Sequence, residues 1–107
     1  MLRPNQFHVL LALAAEDRHG SAIADDVLEQ TEGSLRLWPA TLYRTLDELV
    51  DGGFIEELTG ARHPDGESRR RRYYSATKKG RRALSDAARR MSTLAGTAQN
   101  RLEQATS

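Results

Sequence analysis

From Leu84 onward, apolar residues return at Ala87, Met91, Leu94, Ala98 and Leu102, in steps of three or four through otherwise polar sequence. That is the period of one face of an α-helix, and it is close to a coiled-coil seam. The stripe lies at the far end of a chain of 107 residues, which has room for one domain-sized core. With 38% hydrophobic residues that core is modest, so a second copy would supply burial it lacks. The stripe also contains small residues that permit close approach. The pattern therefore predicts that Leu84, Ala87, Met91, Leu94, Ala98 and Leu102 meet a partner helix in a homodimer rather than the chain's own core. Cysteine is absent, which excludes disulfides and thiolate metal sites. No apolar run approaches the roughly 18 residues of a membrane helix, and the N-terminus lacks the order of a signal peptide. A cytoplasmic protein with no membrane partner is expected.

Ahead of the stripe the periodicity changes several times. Phe7 to Ala15 (FHVLLALAA) is apolar almost all round, which predicts a buried first helix. A polar connection, Glu16 to Gly20, leads to Ser21, a residue able to cap the next helix. There Ile23, Ala24, Val27 and Leu28 share one side, with Asp25, Asp26 and Glu29 opposite. Gly33 and Ser34 break the pattern, and Pro39 suits the first turn of a third helix running to about Asp51. Its wheel puts Leu42, Leu46, Leu49 and Val50 on one side, Thr41, Arg44, Glu48 and Asp51 on the other, and Tyr43 between. Gly52 and Gly53 end it. Phe54 to Leu58 and Arg72 to Ala76 read as paired strands around a polar loop, Gly60 to Arg70, and Thr77 can cap the last helix. Helix, helix, helix, hairpin, long helix is the order of a winged helix-turn-helix. The expected fold is mainly α with a small β-hairpin, divided into a DNA-binding unit at 1–76 and a dimerisation helix at 77–107.

The net charge of +1 conceals two opposed parts. Residues 1–61 carry four arginines against eleven acids, and residues 62–90 carry eleven lysines and arginines against three acids. One end of the molecule facing a polyanion explains this, and so does a solvated basic face. The third helix adds chemistry, because recognition helices present their first residues to base edges. Pro39, Thr41, Tyr43 and Arg44 open that helix. Arginine bridges the two acceptors of guanine, threonine meets a thymine methyl or a phosphate, and a tyrosine hydroxyl reaches phosphate. The plainer reading is that Tyr43 packs and Arg44 pairs with Glu48. Arg69, Arg70, Arg71 and Arg72 lie where a wing would run along the backbone or into the minor groove, and Lys78, Lys79, Arg81 and Arg82 extend the basic surface in part. Trp38, a large aromatic beside a helix start, is expected in the core, with stacking on a small molecule as the other reading.

Catalysis finds no support. His8, His19 and His63 fall on different elements without the spacing of helical metal ligands, and no phosphate-cradling loop or nucleophile elbow is present. No cofactor or metal is expected. The alternative to a DNA-binding role is a winged-helix module whose basic hairpin docks on an acidic protein.

Four motifs, in order and spacing, resemble the short subclass of PadR-type transcriptional regulators: His19-Gly20, Trp38 to Leu46 (WPATLYRTL), Gly53 to Glu56 (GFIE) and Arg72 to Gly80 (RYYSATKKG). The resemblance covers about residues 2–90. It implies a dimeric winged-helix repressor of double-stranded DNA, with a recognition helix opening at Pro39 to Tyr43 and a C-terminal helix building the dimer. It also implies a small-molecule effector, of unidentified chemistry, near the dimer centre. The chain departs from the pattern at Ser21, where the family often has an aromatic, and at Trp38, where it often has a small polar residue.

Overall fold

A computed structural model describes residues 1–64 and 71–106. Four helices, α1 (Pro4–Ala15), α2 (Gly20–Gln30), α3 (Pro39–Asp51) and α4 (Lys78–Thr106), surround a small sheet of β1 (Arg18–His19), β2 (Ile55–Glu57) and β3 (Tyr73–Ala76). The sheet is antiparallel in the order β1-β3-β2, with Glu57 opposite Tyr74 and Arg18 on the other side of the same Tyr74. Three helices and a hairpin with this order form a winged helix-turn-helix, as the periodicities predict.

Val9, Leu10, Ala12 and Leu13 of α1 meet Ile23 and Val27 of α2, Leu42, Leu46 and Leu49 of α3, and Ile55 and Tyr74 of the sheet in one core. The first helix is buried on one side only, since Leu11 is 40% exposed and Phe7 is half-buried. It also starts earlier than its apolar run. Pro4 occupies the first turn, where its missing N–H is no loss, and the Gln6 side chain accepts from the Arg3 amide. The second helix is capped by His19, whose Nδ1 accepts from the Ala22 amide at 3.3 Å; Ser21 lies inside the first turn, so the expected serine cap is corrected. In α3 the buried set is Leu42, Thr45, Leu46 and Leu49. Val50, placed inward by the wheel, is 38% exposed, and Thr45 takes the inward place because its hydroxyl can donate to the Thr41 carbonyl at 2.8 Å.

The long helix is fastened to the end of the third. Thr77 donates to the Gly53 carbonyl through Oγ1 at 2.7 Å, donates to the Phe54 carbonyl through its amide, and accepts from the Gly80 amide. Lys79 Nζ donates to the Gly52 carbonyl at 2.6 Å and lies 4.6 Å from the centre of the Phe54 ring. Arg81 donates to the Ala14 carbonyl and Arg18 to the Ala12 carbonyl. These cations satisfy carbonyls at helix C-termini, where the helix dipole favours them. Leu84 packs on the core and Ala87 is buried within the single chain, whereas Met91, Leu94, Ala98 and Leu102 are exposed along the remaining turns. No described helix is long and apolar enough to cross a membrane.

Gly80 is required by the approach of α4 to the wing, because a Cβ there would lie 1.9 Å from the Phe54 carbonyl oxygen. Gly96, on the same helix, faces open space. Gly80→Ala should therefore cost roughly 1–3 kcal/mol or more. Gly96→Ala should stabilise by roughly 0.5–1 kcal/mol through helix propensity. Urea titrations of the two variants check the contrast, and equal effects would contradict the junction.

Candidate nucleic-acid interface

Pro39 begins α3 immediately after Trp38, which occupies the cap position in an extended conformation and makes no side-chain cap hydrogen bond. Among the described residues no side chain caps the first amides of α3, and an uncapped helix N-terminus favours an anion. Thr41 is half-buried and Arg44 exposed. Among the described residues Arg44 makes no ion pair: Glu48, the partner considered for it, is held instead by Arg3 at 3.0 Å and by Gln6 at 3.4 Å. Farther along the exposed side come Asp47 and Asp51. Those acids repel phosphate, so the arrangement favours a polyanion at the opening of α3 rather than along its length.

Tyr43 is half-buried against the core. A Cβ at residue 20 would lie 2.6 Å from the Tyr43 hydroxyl oxygen, which explains glycine at the start of α2. Arg72 stands over the same ring, with its guanidinium carbon 5.9 Å from the centroid, and its Nε donates to Glu57 at 2.8 Å. The hydrogen bond to Glu57, followed by the charge around it, holds the Arg72 guanidinium above its ordinary pKa. Arg72 thereby ties the wing to the third helix. Arg71 is exposed, with Nη1 3.2 Å from His19 Nε2, and its carbonyl lies 2.6 Å from His63 Nε2. His63 is buried and stands edge-on to Tyr73, so it fastens the two legs of the hairpin. Arg62 pairs with Glu56 at 2.6 Å. Arg69 and Arg70, expected on the wing, lie outside the described residues.

Trp38 overturns the core expectation, being 65% exposed. Its segment is extended and alternates: Leu35 packs on the core and Leu37 is buried, while Arg36 and Trp38 face out, with the Arg36 guanidinium 5.1 Å from the indole centroid. That alternation of period two was visible in Leu35-Arg36-Leu37-Trp38 and would have placed the indole outside. The histidines serve elsewhere. His8 lies 2.7 Å from Gln30 Oε1 and links α1 to α2, and among the described residues no three of His, Asp or Glu gather as metal ligands.

The family model described as the transcriptional regulator PadR-like family matches residues 9–86. No curated protein sequence matches the chain. A transcriptional regulator from Clostridium thermocellum is similar with a TM-score of 0.71 at 21% identity, covering 89% of this chain and 89% of that one. A PadR family transcription regulator from hypervirulent Clostridium difficile gives a TM-score of 0.73 at 19% identity, covering 92% of this chain and 97% of that one. Bacillus subtilis PadR, solved in complex with operator DNA, gives a TM-score of 0.64 at 21% identity, over 82% of this chain and 48% of that longer one.

Beneath this surface the Tyr74 hydroxyl is buried without a hydrogen-bond partner among the described residues. Burial chiefly pushes the phenol up to about 12 from 10.0. The folded state thus holds this proton more tightly than the unfolded chain. The resulting stabilisation is present below pH 10 and fades as the pH rises toward 12, by up to about 1.4 kcal/mol per pH unit. Tyr74→Phe should lose that slope and be at least as stable as the parent at neutral pH, since it removes an unpaired buried hydroxyl. Denaturant titrations from pH 8 to pH 11 test this, with parallel curves as the contrary result.

Proposed function

Because the chain belongs to the PadR-like family of transcriptional regulators, we propose that it binds an inverted-repeat operator in double-stranded DNA as a homodimer and represses transcription. The observation that carries the reading is the opening of α3. Arg44, exposed and without an ion pair among the described residues, stands with Thr41 beside uncapped amides, next to a wing that carries Arg71. Such an opening enters a major groove, where arginine spans the guanine edge, while wing arginines contact phosphate and carry little sequence information. The operator complex of Bacillus subtilis PadR supports the same use of the fold. Pro39 fixes the start of the reading helix, and Tyr43 with Arg72 holds the wing against it. On this reading the protein acts in the cytoplasm as a regulator and not as an enzyme.

The dimer rests on Met91, Leu94, Ala98 and Leu102, exposed on turns of α4 that extend beyond the core. Leu84 and Ala87 seat the beginning of the same helix on its own chain, so residues 77–107 pair the copies while remaining anchored to the unit at 1–76. Beside the stripe, Leu2, Phe7, His8, Ala87, Met91 and Leu94 line a mainly apolar groove of about 420 Å³. A small apolar effector fits a groove of that size near the dimer centre.

Selection of bound fragments from random duplex DNA tests the function, and enrichment of an inverted repeat is expected. Arg44→Ala should then cost roughly 1–3 kcal/mol on the selected operator and much less on random duplex. Equal losses would make Arg44 a backbone contact. Leu94→Glu places a charge in the stripe and should lower the sedimenting mass toward that of one chain and weaken operator binding without touching the DNA-facing residues. A Leu94→Glu protein that stays dimeric and binds normally would overturn this mode of pairing.

A further inference from the structure

The third helix begins with an apolar group that neither the core nor the dimer stripe uses. Trp38 is the single tryptophan of the chain, 65% exposed, at the cap of α3. Leaving an indole in water forfeits burial, yet its position is well defined. Leu35 and Leu37 anchor the segment from inside, Pro39 fixes the turn that follows, and Arg36 stacks on the ring from the same outward face. The result is an apolar plate carrying a cation, standing at the start of a helix on which the half-buried Thr41 and the exposed Arg44 follow.

Resting on the reading that α3 opens into a major groove, we propose that the Arg36–Trp38 pair is a further specificity determinant, with the indole packing on a thymine 5-methyl group while Arg36 meets the neighbouring phosphate. In the major groove the thymine methyl is the apolar group that distinguishes one base pair from the others, and it is read by apolar contact. An indole edge excludes water from that methyl without needing a hydrogen bond. The Arg36 guanidinium stays over the ring and retains donors directed away from it, which suit a phosphate oxygen. A cytosine at the same place offers no methyl, so the pair would discriminate thymine there although Trp38 has no hydrogen bond to give to a base.

The test uses the full-length protein, the duplex it selects, and the same duplex with single thymines replaced by deoxyuridine, which removes only the methyl. A replacement in one half-site should weaken wild-type binding about fourfold, the effect of burying one methyl group, and one in each half-site about fifteenfold. Trp38→Ala should bind more weakly and show no further loss on that deoxyuridine duplex, while Trp38→Phe retains part of the coupling. Acrylamide quenching of the indole reads the contact in the unmodified protein, and it should fall when the operator is added. A wild-type protein that selects a sequence but loses nothing on any deoxyuridine duplex, or whose Trp38 stays fully quenchable on the operator, overturns this inference and leaves the operator-binding reading intact. A protein that selects no duplex at all overturns both.

Discussion

The contact between Gly80 and the Phe54 carbonyl governs how this molecule is assembled. Backbone meets backbone there with no room for a Cβ, and Thr77 and Lys79 close over it by taking the carbonyls that end α3. Unpaired C-terminal carbonyls would otherwise need water or a glycine cap. Using them as the seat of the next long helix sets the direction of α4 relative to α3. In the proposed dimer the consequence is large, because a helix of 29 residues turns a small change of angle at its base into a large displacement of its tip. The spacing of the two reading helices would follow from one glycine and its neighbours.

The same chemistry reassigns much of the positive charge between residues 62 and 90. Arg62 and Arg72 answer Glu56 and Glu57 within the wing, while Lys79 and Arg81 lie on carbonyls at the ends of α3 and α1. Exposed cations without an ion pair among the described residues include Arg36 and Arg44 around the opening of the third helix, and Lys78, Arg82 and Arg90 along α4. In the proposed complex a polyanion would be met by these few charges, while the paired ones hold the wing and the helix ends in place. Exposed pairs such as Arg72 with Glu57 contribute little stability. Their value here is orientation, since Arg72 holds the wing over Tyr43.

Sequence periodicity reached far in the helices and less far in the connections. The bounds of α3 follow from Pro39 and the two glycines, and the strands around the wing follow from their aromatic and branched residues. A strand of two residues, Arg18–His19, carries no period of its own; it exists because β3 offers a free edge, which no local pattern reveals. His19 takes the capping role assigned to Ser21 because an imidazole nitrogen accepts as a serine oxygen does. The start of α3 was legible in Pro39, and the exposure of Arg44 in the wheel. Trp38 was misplaced by its bulk, although its alternation with two buried leucines marked the outward side. The division of the α4 stripe was also hidden, because Leu84 and Leu94 are alike in sequence and differ only in how far from the core the helix has run.

In the proposed complex two copies, joined through α4, hold their third helices at a fixed separation on one face of DNA. Hydroxyl-radical footprinting of the purified protein on its selected duplex measures that separation directly. Two protected patches related by a two-fold axis and about one helical turn, roughly 34 Å, apart are expected. A single unsymmetrical patch, or even cleavage throughout, would contradict it.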